Sequence, residues 1–192
     1  ASDACGTVTW TNDFSSLSDL CGSTGATTVT FTATDDCGNS STTTATFAIE
    51  DTTPPTVDVA ASALTLECDG LGNTAQIDSW LNSQGNATAT DIGGAVNWTH
   101  DYAGLSDECG ATGSASVTFT ATDECGNTAT TTAVVSITDT TAPTLDVAAS
   151  DSTITCDGTG GATDLATWLA SNGGAVASDT CGSVTWTNDH TG

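Results

Sequence analysis

The sequence predicts an all-β chain: tandem antiparallel β-sandwich repeats of about 88 residues, each with one short helical insertion. Three observations carry this. Apolar and polar residues alternate strictly through several runs, which is the signature of strands with one buried face. Whole motifs recur without gaps, the Trp positions 10, 98 and 186 lying 88 residues apart each time. A single segment per period switches from a period of two to helical spacing.

The elements follow in chain order. Val8 and Trp10 mark an inward-facing pair on a first strand. In residues 28–34 Val29, Phe31 and Ala33 face one way and Thr the other; Ala45, Phe47 and Ile49 repeat the pattern, as do Ala133, Val135 and Ile137 one period on. Between such runs Asp35-Asp36-Cys37-Gly38-Asn39 is a turn, with Gly38 and Asn39 free to take positive φ. Leu64 and Leu66 form a further inward pair. Within 73–85, Ile77, Trp80 and Leu81 fall at i, i+3 and i+4, and Gly85 follows; the copy at 161–173 has Leu165, Trp168, Leu169 and Gly173. That spacing predicts an amphipathic helix with a glycine C-cap. Its Trp reads either as a carbohydrate platform or as a plug for an open end of the sandwich, and pairing with aliphatic neighbours favours the plug. The fold that follows is a sandwich of immunoglobulin-like type.

The motif at 30–39 returns at 118–127, and Asp51-Thr-Thr-Pro-Pro-Thr matches Asp139-Thr-Thr-Ala-Pro-Thr. Pro55 and Pro143 fix φ and cannot donate to a ladder, so these segments are the expected boundaries. The expected division is 1–50, the C-terminal part of a repeat; 51–138, a complete repeat; and 139–192, the N-terminal part of another. The chain reads as a fragment of something longer.

Composition narrows the function. The 192 residues carry 24 Asp plus Glu, no Lys or Arg, and a net charge of −24. A chain without basic side chains has no electrostatic footprint for nucleic acid or an anionic bilayer. It also lacks a Walker lysine, an arginine finger and a Schiff-base lysine. No apolar run approaches the roughly 18 residues of a membrane span. Too many Val, Ile, Phe and Trp are present for a disordered acidic tail.

Eight cysteines stand at Cys5, Cys21, Cys37, Cys68, Cys109, Cys125, Cys156 and Cys181, none in a C-x-x-C pair. Disulfides in an exported protein fit this spacing better than zinc. Each period offers four positions, but Gly93 stands where the other copies have Cys5 and Cys181. The middle copy therefore holds Cys68, Cys109 and Cys125, of which at least one is free or bonded across copies. Connectivity is open. In an immunoglobulin-like arrangement Cys5 and Cys37 come to the same end, which makes Cys5–Cys37 the first pairing to test and leaves Cys125 facing Gly93.

No set of catalytic roles can be filled. His100 stands where other copies have Asn12 and Asn188, and His190 where they have Phe14 and Tyr102. A general base that changes between copies is a poor candidate, so the expectation is a non-enzyme. Calcium is a better use of the acids, since hard oxygen ligands from loops suit it. The candidates are the turn residues Asp35, Asp36 and Asn39 with the boundary acids Glu50 and Asp51, and their copies Asp123, Glu124, Asn127 and Asp139. Ordinary turn residues and solvated charge give the same pattern, and the spacing does not choose between the two.

Ala-Thr-Asp-x-Cys-Gly-Asn, a Thr-rich strand, then Asp-Thr-Thr-x-Pro-Thr resembles the HYR-like, immunoglobulin-type repeats of giant Bacteroidota surface adhesins, including those of gliding motility. The resemblance runs the length of the chain. It implies type IX secretion, display as thin cell-surface filaments, self-association into filaments, and a grip on polysaccharide or abiotic surfaces. It also implies O-glycosylation at Asp-Ser/Thr motifs, which Thr52, Thr140 and Ser152 fit. Gly93 departs from the family's cysteine.

Three functions remain in view. The first is a structural stalk of an extracellular adhesin, whose partners are neighbouring repeats of its own chain; the lack of trypsin-type cleavage sites suits it. The second is a carbohydrate-binding repeat module using Trp and Asp. The third is a non-catalytic region of a large secreted hydrolase. Burial of Trp10, Trp98 and Trp186 separates the first two.

Overall fold

The computed structural model describes residues 1–4, 6–156, 158 and 161–191. In chain order the elements are β1 (Val8–Asn12), β2 (Gly25–Asp35), β3 (Ser40–Ile49), β4 (Thr56–Val59), β5 (Leu64–Glu67), α1 (Thr74–Asn82), β6 (Thr88–Thr90), β7 (Asn97–His100), β8 (Gly113–Thr122), β9 (Thr128–Thr138), β10 (Thr144–Val147), α2 (Ala162–Ala170) and β11 (Val176–Ser178). The chain is all-β with small helical parts.

The 88-residue period is visible in the pairing. β1, β2 and β3 form one antiparallel sheet, with Trp10 opposite Ala33 and Val29 opposite Ala45. One period on, β7, β8 and β9 repeat that order, with Trp98 opposite Ala121. The pairs β4–β6 and β10–β11 are likewise copies, each with a register shift at its first strand.

One pairing departs from the antiparallel expectation. β5 runs parallel to β9, Leu64 opposite Val135 and Leu66 opposite Ile137. A parallel pair needs a long crossover, and nearly the whole copy lies between these strands. β9 is thereby an inner strand and its apolar row is covered: Val135 is 0% exposed and Ile137 buried. β3 is the edge of its sheet and has no such cover, so Phe47, at the position of Val135, is 60% exposed. The alternation is identical in both copies, but only one of them buries it.

Two compact units divide the described chain. The first comprises 1–61, 86–100 and 118–132, and buries Val29, Ala33, Phe119 and Ala121. The second comprises 62–85, 101–117 and 133–192, and buries Ile77, Trp80, Leu81, Val117, Val135 and Ile137. Each draws on more than one copy of the sequence pattern.

Both expected helices form. Asn73 enters α1 at φ 51°, a left-handed value that Asn tolerates. Its side chain donates to the Glu67 carbonyl at 3.0 Å, while its own N–H and that of Leu71 donate to Asp69 Oδ1 at 3.0 and 2.8 Å. The Trp80 indole N–H donates to the Ser62 carbonyl at 2.9 Å and the ring is buried, as a plug requires. Trp168 makes the same bond to Ser150 at 3.0 Å. The expected glycine cap differs in detail. Ser83 is the C-cap, and Gly85, with φ 63°, belongs to the 3₁₀ turn that follows. Gly173 repeats it with φ 66°.

Candidate functional site

The turn between β8 and β9 is built around Asp123. Its Oδ1 accepts the backbone N–H groups of Cys125 and Asn127 at 2.9 and 2.8 Å, and its Oδ2 accepts the Asn127 amide at 2.8 Å. Burial raises the pKa of this carboxyl, but these bonds outweigh it and hold the pKa below the usual aspartate value. The copy between β2 and β3 has the same geometry: Asp35 accepts from Cys37 and Asn39 backbone N–H at 2.9 and 2.8 Å, and from the Asn39 side chain at 2.8 Å. There the Asn39 amide is the largest cause of the lowered pKa.

Asp51 reaches the Asp123 turn rather than the Asp35 turn. Asn127 Nδ2 donates to the Asp51 carbonyl at 3.1 Å. The carboxylates of Asp51, Asp91 and Asp123 lie within 4.8 Å of one another, and they are the three-carboxylate group formed among the described residues. Asp91 is the member that the sequence reading missed. Its signal was its period: Asp3, Asp91 and Asp179 recur at the same position as Asp35/Asp123 and Asp51/Asp139 recur at theirs. Asp91 Oδ1 accepts the Gly93 N–H at 2.6 Å, and Asp179 Oδ1 accepts that of Cys181 at 2.8 Å.

The other candidates lie elsewhere. Asp36 accepts the N–H and hydroxyl of Thr7 at 2.9 and 2.7 Å, which lowers its pKa. Glu124 lies beside Gly94, Glu50 is exposed, and the exposed Asp139 caps its own turn through Thr141 N–H at 3.1 Å. Three carboxylate oxygens converging at one place supply hard donors of the kind Ca²⁺ accepts. Of the glycosylation candidates, Thr52 and Ser152 are exposed, while the Thr140 hydroxyl donates to Glu67 Oε2 at 3.0 Å.

The same place explains Gly93. A Cβ added there would collide with Asp51 Oδ2 and stand 3.1 Å from Asp91 Oδ1. A cysteine at 93 and the closed carboxylate group exclude one another.

Both described disulfides join one copy to the next. Cys21 bonds Cys125 across 104 residues and Cys68 bonds Cys181 across 113. Cys37, Cys109 and Cys156 are free and exposed. The expected Cys5–Cys37 pairing is corrected: Cys37 is a free thiol, and Cys5 lies outside the described residues. Cys125, expected to face an empty position, takes its partner from the preceding copy. The odd cysteine of the middle copy is accounted for, since Cys68 and Cys125 bond outward and Cys109 is free. Near the first bridge Ser23 N–H donates to the Gly93 carbonyl at 3.1 Å, and near the second Ala111 N–H donates to that of Cys181 at 2.9 Å. The tryptophans that repeat every 88 residues are unequal: Trp98 is half-buried, whereas Trp10 is 51% and Trp186 39% exposed.

Paired copies of a sheet, a parallel β5–β9 pair and a covered apolar row on β9 now stand beside a sequence match. Residues 96–175 match the family described as bacterial Ig-like domain (group 3). The fold is immunoglobulin-like. A protocadherin gammaB7 EC3-6 cis-dimer structure is similar at 14% identity and a TM-score of 0.31, covering 75% of this chain and 45% of that one. The chain thus spans less than half the length of that protocadherin. No curated protein matches the sequence. No helix among the described residues is long and apolar enough to cross a membrane.

Proposed function

We propose that this chain is a length of non-catalytic structural stalk from a giant extracellular adhesin, of the Bacteroidota type IX-secreted kind exemplified by the flavobacterial gliding adhesin SprB. The observation that carries the proposal is the direction of the disulfides. Cys21–Cys125 and Cys68–Cys181 each tie one copy to its successor. Bridges inside a copy would stabilise that copy alone. Bridges between copies carry load across the boundary and limit how far the chain can extend.

The carboxylate group formed by Asp51, Asp91 and Asp123 supports a second part of the proposal, a Ca²⁺ ion at the start of the copy. Bound there, it would offset local repulsion and fix the 51–55 segment against the turn. The exposed rings of Trp10 and Trp186 support a rival reading as a glycan-binding module.

Pulling single molecules by their ends tests the stalk. The oxidised chain is expected to extend less than the reduced chain, with the missing length returning on addition of a thiol reductant. Equal extension in both states would remove the mechanical role. Glycan binding, together with protection of Trp fluorescence from acrylamide by the glycan, would favour the module instead.

A further inference from the structure

α2 leads into a 3₁₀ turn at Asn172–Gly174, and the middle copy has the same turn after α1 at Gln84–Asn86. The fold dictates the central glycine in both. Gly173 has φ 66° and Gly85 φ 63°, values that glycine adopts without strain. A Cβ on Gly173 would also stand 3.1 Å from the Ala149 Cβ and 3.2 Å from Trp168 Cζ2. The Ser150 N–H and hydroxyl donate to the Gly173 carbonyl at 2.9 and 3.2 Å. Ser62 makes the same two bonds to Gly85, both at 2.8 Å. The residue before the glycine varies: Gln84 in the middle copy and Asn172 in the third, with φ 54° and 53°. Both are half-buried. The geometry is local and the same in both copies.

That one difference changes the chemistry. Asparagine is thermolabile, because its amide carbon lies within reach of the next main-chain nitrogen. A glycine at the next position puts no Cβ in the path of ring closure. Glutamine must close a six-membered ring instead of a five-membered one, which is far slower. Asn172-Gly173 is the single Asn-Gly pair in the sequence. Asn39, Asn73 and Asn127 are followed by Ser or Thr, and their amides donate to Asp35 Oδ2 at 2.8 Å, the Glu67 carbonyl at 3.0 Å and Asp123 Oδ2 at 2.8 Å. A short 3₁₀ turn at the surface opens locally at low cost, which frees the Gly173 nitrogen to attack.

We propose that Asn172 is a self-modification site, converting without any enzyme to aspartate and isoaspartate and thereby loosening the corner that Gly173 holds. Base removes the proton of the Gly173 N–H, and the nitrogen forms a bond to the Asn172 amide carbon. The bond from that carbon to the side-chain nitrogen breaks, and ammonia leaves with a proton from water. Water then opens the succinimide. Cleavage at the former side-chain carbonyl gives aspartate; cleavage at the main-chain carbonyl gives isoaspartate, whose main chain is longer by one carbon. Nothing is oxidised or reduced. Either product adds a negative charge to a chain that already carries −24. Aspartate keeps the main chain as it was and tolerates positive φ. Isoaspartate displaces Gly173 from Trp168 and its carbonyl from Ser150.

The test incubates the folded, oxidised chain at mildly alkaline pH and maps its peptides by mass spectrometry. The amide-to-acid mass shift is expected at 172, faster as pH rises, with no change in the peptide that holds Gln84. An isoaspartyl methyltransferase should label the same peptide. Asn172→Gln should suppress both signals without harm to the fold, since Gln84 already adopts that φ. The aged chain should melt below the parent, while Asn172→Asp, which has the charge without the extra carbon, should melt close to it. The proposal is overturned if Asn172 stays intact in the folded chain while the urea-unfolded chain converts. It is also overturned if Asn39 or Asn82, each followed by Ser, converts as fast as Asn172, or if the aged chain melts with the parent.

Discussion

Asn127 is fastened to Asp51, 76 residues earlier in the chain, by its side-chain amide, which donates to the Asp51 carbonyl at 3.1 Å. The same amide donates to Asp123 at 2.8 Å. One side chain thus clamps the 51–55 segment onto the β8–β9 turn. Asn39 makes the turn bonds to Asp35. We expect Asn127→Ala to lower unfolding free energy by about 1–2 kcal/mol, the usual cost of losing such bonds. Asn39→Ala should cost less. Denaturant midpoints of the two variants check the order.

Reduction of the disulfides should destabilise the chain strongly. Loops of 104 and 113 residues correspond, in the chain-entropy treatment, to roughly 4–5 kcal/mol for each bridge. Cys21→Ser and Cys68→Ser should each lower the melting temperature, and the double variant should melt near the reduced chain. Calorimetry with and without reductant measures this.

Gly93→Cys restores the residue found in the other copies. The new Cβ meets Asp51 Oδ2 and Asp91 Oδ1, the tips of side chains that can swing aside, so the stability cost should stay within about 1 kcal/mol while the three carboxylates separate. Any Ca²⁺-induced rise in melting temperature should shrink with it. A Gly93→Cys variant that keeps the parent's full Ca²⁺ response contradicts the geometry.

Acid should weaken the fold through particular carboxylates. Hydrogen bonds hold Asp13, Asp35, Asp36, Asp69 and Asp123 below the ordinary value of 3.8. Glu67 lies below its own ordinary value of 4.5. A group lowered by folding stabilises fully above its unfolded pKa, and that contribution is lost as pH falls through the folded value. Repulsion among the 24 acids relaxes over the same range and opposes the loss. The discriminating measurement is therefore a difference: Asp123→Asn should be less stable than the parent near neutrality, with the gap narrowing below about pH 4.

Calcium should raise the melting temperature, and EDTA should lower it by more than matched ionic strength does. Asp91→Asn should remove most of the response by withdrawing one of the three converging carboxylates. Asp36→Asn, which alters a carboxylate outside that group, should preserve it. A parent protein whose melt ignores both Ca²⁺ and EDTA excludes the ion.

The alternating strands β1, β2, β3, β5 and β9 and both helices were legible because their patterns are local, whereas the short strands β4, β6, β10 and β11 carry no such pattern and were not read. Val29, Ala33, Val135 and Ile137 alternate as half-buried strands must, and Ile77, Trp80 and Leu81 sit at helical spacing. Identical patterns could not reveal unequal burial. Phe47 and Val135 occupy the same position, but β9 is covered by β5 and β3 is not. The disulfides were illegible for a related reason: Cys21 and Cys125 belong to different copies and meet only through tertiary approach, which no spacing within a copy encodes. Asp91 escaped because it stands alone in sequence and becomes part of a group only through tertiary approach.

The parallel ladder between β5 and β9 sets an order of events during synthesis. Thr65 and Ser136, which share a hydrogen bond across it, are 71 residues apart. In the middle copy β5 must wait without this partner until β9 emerges from the ribosome. Long-range pairings of this kind form late. Leu64 and Leu66 therefore meet Val135 and Ile137 only once the rest of that copy has been made.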